Sequence, residues 1–235
     1  MAYVAIPPVS SGGPTSRISN ALLRAQTLMP SSAINVYCGT ELENDQWHVF
    51  TVGAGSATAV LSTTQKGGRY LLSSGATGSS LGSFQPHGSG SFIDNPKATA
   101  WYLYVRGKVT TAIDANSYVA INGLATPGRT SPAIAMGVVL PAVSTTNFTG
   151  YAQNNAGVTQ ISKDLGVPID TADHDWEMWN DGATLFFAID SVTVGSGANT
   201  NVGTNPVTIV LQIANGATAS NRAMDIDTIL CAIAG

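Results

Sequence analysis

Residues 174–192 read HDWEMWNDGATLFFAIDSV. Trp176 and Met178 alternate with Asp175, Glu177 and Trp179, and Leu185, Phe187 and Ile189 alternate with Phe186, Ala188 and Asp190. Successive side chains of a strand point to opposite faces, so both segments read as strands offering one apolar face to a core. Between them, Asn180-Asp181-Gly182 supplies residues that tolerate positive φ, as a hairpin turn demands.

Outward from this hairpin the same alternation recurs. Upstream, Ala98–Val109 (ATAWYLYVRGKV) places Trp101, Leu103 and Val105 on one face and Tyr102, Tyr104 and Arg106 on the other. Ser117–Ile121 and Ala133–Leu140 read as strands, and Thr149–Ile161 as a pair around Asn154-Asn155. Downstream, Pro206–Ala214 and Met224–Ile233 alternate again. Toward the N-terminus, Ala33–Cys38, Gln46–Val52, Ala57–Leu61 and Arg69–Leu72 are shorter strands, while the Gly- and Ser-rich residues 73–97 read as a long surface loop. Many short strands with regular turn signals predict an all-β sandwich or barrel spanning 34–235 as a single domain. Residues 1–33 read as an irregular N-terminal arm broken by Pro7, Pro8 and Pro14, with a short helical rhythm at Ile18–Met29.

Composition narrows the function classes. Charged residues make up 10% of the 235, against the quarter usual for soluble proteins. Low charge means weak self-repulsion, which suits a surface packed against other subunits. A net charge of −4, with 10 Lys and Arg and no basic run, argues against nucleic acid as a partner. No apolar run reaches membrane-spanning length, and the first residues lack the pattern of a secretory signal. Cys38 and Cys231 make neither a disulfide framework nor a zinc site.

The order of segments, WYLYVRGKV, AIAMGVVL, HDWEMWNDGATLFFAID, VTIVLQIANG and MDIDTILCAI, resembles the concanavalin A-like jelly roll of laminin G modules, legume lectins and several glycan hydrolases. The match covers residues 98–235 well and 33–97 loosely. Asp190 and Asp227 fall where that pattern carries acids. The family also includes domains on tailed-phage particles, which decorate or cement the capsid or bind host glycans. What the resemblance implies is an all-β, two-sheet antiparallel jelly-roll sandwich; its function is carried by analogy of fold alone.

The candidate sites are sparse. Hydrolases of this fold carry their acids on one strand, and glycan hydrolysis needs two acids flanking the scissile bond. Glu41, Glu43 and Asp45 are the nearest such run, although Asn44 favours a turn. Asp175 and Glu177 also share a face but lack a third acid, and with Trp176 and Met178 on the apolar side they are expected to face solvent. Asp164, Asp170, Asp173, Asp175, Glu177, Asp181 and Asp190 are half of the 14 acids. Calcium takes oxygens from loop carboxylates, so Asp170, Asp173 and Asp175 are the calcium candidates; no other cofactor is expected. Trp179, beside the turn and opposite Trp176, is the candidate for stacking on a sugar ring. His48, His87 and His174 lie far apart, and His174 is expected to cap a strand entry.

The leading expectation is a non-enzymatic virion structural protein, a capsid decoration or cement protein assembled in the host cytoplasm. It would be homo-oligomeric and fasten to the major capsid protein and sister copies through its arm. The alternative is a carbohydrate-binding jelly-roll module of a phage fibre or cell surface. A third class, a glycan hydrolase, would rest on Glu41 or Glu43.

Overall fold

The computed structural model describes residues 14–28, 32–38, 47–60, 69–78, 80–86, 93–110, 117–125, 134–140, 147–215 and 223–234. Helix α1 spans Pro14–Leu28. The strands that follow are β1 Ser32–Cys38, β2 Trp47–Val52, β3 Ser56–Val60, β4 Arg69–Ser73, β5 Leu81–Pro86, β6 Trp101–Val109, β7 Ser117–Ala125 and β8 Ile134–Leu140. The remainder are β9 Asn147–Gln153, β10 Thr159–Pro168, β11 His174–Asn180, β12 Thr184–Ile189, β13 Val192–Ala198, β14 Thr208–Asn215 and β15 Ala223–Ala234.

Two antiparallel sheets result, as the resemblance implies. The first runs β13-β12-β11-β6-β15-β4-β3, with β1 also paired to β15; the second runs β10-β9-β8-β7-β14-β5-β2. The long β15 pairs with β6 along one edge and with β4, then β1, along the other. A register shift between Ile226 and Thr228 breaks its alternation, and the core residues step from Ile226 to Ile229 across it.

Between the sheets lies the main core. Trp101, Leu103 and Val105 of β6, Trp176 and Met178 of β11, and Leu185, Phe187 and Ile189 of β12 meet Met136, Val138, Phe148, Ile209, Leu211 and Ile213 of the second sheet. These are the residues that period-two alternation assigns to the apolar face. The β11–β12 turn is closed by Asp181, whose Oδ1 accepts the amides of Ala183 at 2.9 Å and Thr184 at 2.8 Å. Gly182 carries the positive φ of 97° that this turn requires.

Three sequence expectations change. Residues 73–97 are not one loop: Leu81–Pro86 forms β5, inserted between β14 and β2. Val192–Ala198, VTVGSGA, forms the edge strand β13, whose glycines hid it. Within the segment read as an arm, Pro14–Leu28 is a regular helix that folds back onto its own first sheet, Pro14 taking the first helical position that tolerates its missing N–H.

Candidate functional site

Helix α1 covers the outer face of the first sheet, the side turned away from the main core. Ala21 and Ala25 are buried there with Tyr102 and Tyr104 of β6, Trp179 of β11, Ala188 of β12, and Leu230 and Ala232 of β15. Small residues let the helix backbone approach the sheet closely. The outward-facing residues of β11 therefore do not meet solvent: Asp175 is 4% exposed and Glu177 1% exposed. The expectation that these acids face water is corrected. Alternation placed them on the right side of the sheet, and α1 supplies a second layer over that side.

Burying carboxylates demands partners. Glu177 Oε2 accepts the Tyr102 hydroxyl at 2.6 Å, and Glu177 Oε1 accepts Arg24 Nη1 at 2.8 Å. Asp175 Oδ1 accepts the Tyr104 hydroxyl at 3.0 Å. Burial raises the Glu177 pKa, against the opposing pull of Tyr102 and Arg24. Burial, reinforced by the neighbouring carboxylates, raises both tyrosines well above their usual value, so they remain neutral donors.

Trp179 sits in the same layer. Its ring stacks on Phe186 with centroids 5.0 Å apart and planes 10° from parallel, and Arg24 Cζ lies 5.6 Å from its centroid. The indole proposed for sugar stacking is thus an aromatic platform, 7% exposed beneath α1.

At the mouth of β11, the His174 ring bridges two acids, Nδ1 to Asp190 Oδ2 at 2.8 Å and Nε2 to Asp170 Oδ1 at 3.1 Å. The Asp190 hydrogen bond is the largest cause of its raised pKa, opposed by burial. Asp190 Oδ1 also accepts the Asp175 amide at 3.0 Å. Asp190 and Ser191 form a two-residue turn between β12 and β13 in which both have positive φ, 52° and 68°. His174 does mark a strand entry, as expected. Farther along the face, Arg69 pairs with Asp173 at 3.1 Å and Asp225 at 3.8 Å, and Arg106 pairs with Asp227 at 3.3 Å.

The calcium candidates are dispersed: Asp170 lies against His174, Asp173 against Arg69 and Asp175 against Tyr104. Among the described residues no group of three or more His, Cys, Asp or Glu gathers to hold a metal. Glu41, Glu43, Asp45 and His87 lie outside the described residues. Cys231 is a free, buried thiol, raised in pKa by burial. Its register partner on β1 is Asn35, while Cys38 pairs with Thr228. Three residues of offset, about 10 Å along the strands, exceed what a disulfide spans. The sequence reading missed Tyr102, Tyr104 and Arg24 as site residues; the alternation of β6 gave the tyrosines' face but not their partners.

No protein-family model matches the chain, and no curated protein matches it. Solved structures do. A protein of unknown function from Shewanella oneidensis MR-1 superposes with a TM-score of 0.62 at 15% identity, covering 96% of this chain and 95% of that one. The β-glucanase of Bacillus licheniformis gives 0.59 at 10% identity, covering 86% and 98%. The fold is the jelly-roll sandwich of these glucanases. A carbohydrate esterase from the Shiga toxin-encoding bacteriophage phi24B gives 0.54 at 15% identity, covering 86% of this chain and all of that one (100%). Further neighbours are glucanases and alginate lyases. This corrects the expectation of a non-enzymatic protein: the neighbours whose activity is named are carbohydrate-active enzymes.

Proposed function

We propose that this jelly roll binds and processes a carbohydrate on the outer face of its first sheet, with Asp175 and Glu177 as the working acids. The observation that carries the reading is the pair itself. Two carboxylates alternate on β11, each buried and each held by a tyrosine hydroxyl. Alternate positions of a strand lie about 7 Å apart, within the range that two-carboxylate glycoside chemistry uses.

Their environments suit different roles. Burial raises the pKa of Glu177, which suits it to pass a proton to a leaving glycosidic oxygen. Asp175, beside Tyr104, is placed to take a proton from a water that attacks the anomeric carbon as the glycosidic C–O bond breaks, the role of the base in an inverting pair. Trp179 and Phe186 offer a stacked aromatic floor next to the acids. The glucanase, lyase and esterase neighbours support the substrate class, and the acids on β11 supply the residues. Because α1 lies over this face, a glycan reaches the acids when the helix shifts.

The test is a screen of the full chain against β-glucans, alginate and acetylated oligosaccharides, with Glu177→Gln and Asp175→Asn in parallel. Turnover of one class that falls by about 100-fold or more in both variants is expected. A substrate turned over equally well by both variants would overturn the assignment.

A further inference from the structure

Arg24 fills a receptacle built by other elements. Its Nη1 donates to Glu177 Oε1 at 2.8 Å and to the Ser191 carbonyl at 3.2 Å, and its guanidinium carbon lies 5.6 Å from the Trp179 ring centroid. A carboxylate, a carbonyl and an indole face are what a cation seeks when it leaves water. The receptacle belongs to the sheet. Glu177 and Trp179 stand on β11, and two successive left-handed residues hold the turn that bears the Ser191 carbonyl. Only the cation comes from the helix.

The helix grips this face lightly. It buries Ala21 and Ala25 with Leu22 half-covered, while Leu23 and Leu28 are exposed. It carries neither acids in its first turn nor bases in its last to complement its dipole. Covering Glu177 and Asp175 also costs desolvation, which a single ion pair only partly offsets. Arg24 itself remains 29% exposed, within reach of a competing solute.

We infer that the Glu177–Ser191–Trp179 receptacle recognises the ammonium group of an amino sugar, and that Arg24 is its internal stand-in while α1 is docked. This rests on the carbohydrate reading of the same face and adds a substrate class to it. An ammonium offers three donors and a positive charge to the carboxylate, the carbonyl and the indole. An N-acetyl group offers one donor and no charge. A uronate meets the like charges of Asp175, Glu177 and Asp190.

The test uses the full chain, as wild type, Arg24→Ala and Arg24→Gln, with folding verified by circular dichroism. Each is titrated with a glucosamine hexamer, its N-acetylated counterpart and a neutral gluco-hexamer. Emptying the receptacle is expected to tighten binding of the glucosamine hexamer about tenfold or more and to leave the other two unchanged. Adding Glu177→Gln should erase that gain. In the wild type, the glucosamine hexamer alone should change indole fluorescence at high concentration, a readout independent of whether the variants fold. Equal affinity of the three hexamers, or preference for an uncharged one, would overturn the amino-sugar inference and leave the carbohydrate reading standing. Binding of none, by wild type or folded variants, would overturn the inference; the hydrolysis screen described above decides the reading beneath it.

Discussion

Tyr102 reaches Glu177 on the diagonal. In the β6–β11 register Tyr102 lies opposite Trp179 and Tyr104 lies opposite Glu177. Yet the Tyr102 hydroxyl is 2.6 Å from Glu177 Oε2, one step along, and Tyr104 makes the same step to Asp175 at 3.0 Å. Two tyrosines on one strand thus hold two carboxylates on the next, in a repeat that the pleat imposes. Each bond satisfies an acid that α1 has removed from water, so the network determines whether those acids can remain buried.

Removing one bond should therefore be costly. In Tyr102→Phe the buried Glu177 keeps Arg24 but loses its shortest hydrogen bond. A hydrogen bond to a charged group contributes about 1.5–3 kcal/mol, and a loss of that order in urea unfolding is expected. The Glu177 pKa should rise further, since the Tyr102 bond lowers it. Unchanged stability in Tyr102→Phe would mean that the bond is replaced by water and that the face is open.

The Asp190-Ser191 turn carries a cost that a single substitution should remove. A residue with a side chain pays roughly 1–2 kcal/mol in the left-handed region, and Ser191 sits there at φ 68°. Glycine relieves that strain but gains freedom in the unfolded chain, so the net benefit of Ser191→Gly should be about 0.5–1 kcal/mol, or a Tm rise of about 2 °C. The Ser191 carbonyl bonded by Arg24 is main chain and survives the change. A lower Tm would show that the serine side chain matters more than its backbone.

These relationships also mark what the sequence could tell. The inward residues of β6, β11 and β12 were legible because a period of two assigns them directly. The outward residues were assigned to the right face and then to the wrong medium. Nothing in DWEMW says that a helix 153 residues away brings Arg24 to Glu177. Tyrosine beside acid on an outward face reads as a wet surface until the covering element is known. Strand β5 was hidden for a related reason. LGSFQP has little propensity of its own, and its pairing with β14 and β2 makes it a strand.

Stability should fall as pH rises from about 5 to 8. His174 holds its proton above the usual 6.5 because of Asp190 and Asp170. Its contribution is complete below that value and is lost as pH climbs through the raised folded value. Glu177, raised from 4.5 by burial, acts with the same sign from a lower starting point, and Asp225 and Asp227, raised from 3.8, add to it. A series of melting curves across this range tests the direction, and His174→Gln should flatten its upper half. A wild-type Tm that rises over the window would contradict the assignment.

Behind the site, the two sheets meet at a glycine and an aromatic ring. Gly150 of β9 faces the Phe187 ring of β12, and a Cβ added there would lie 2.7 Å from a ring carbon. Phe187 is fully buried, so its ring cannot swing into solvent. Gly150→Ala should cost about 1–3 kcal/mol by overpacking. Phe187→Leu alone should cost a similar amount through lost contacts and a small cavity. Together they should cost less than the sum, because leucine vacates the ring space that the alanine methyl needs, giving a coupling of about 0.5 kcal/mol or more. Simple additivity in urea unfolding would mean that the sheets slide to admit the methyl, and that Phe187 does not fix their separation beneath Asp175 and Glu177.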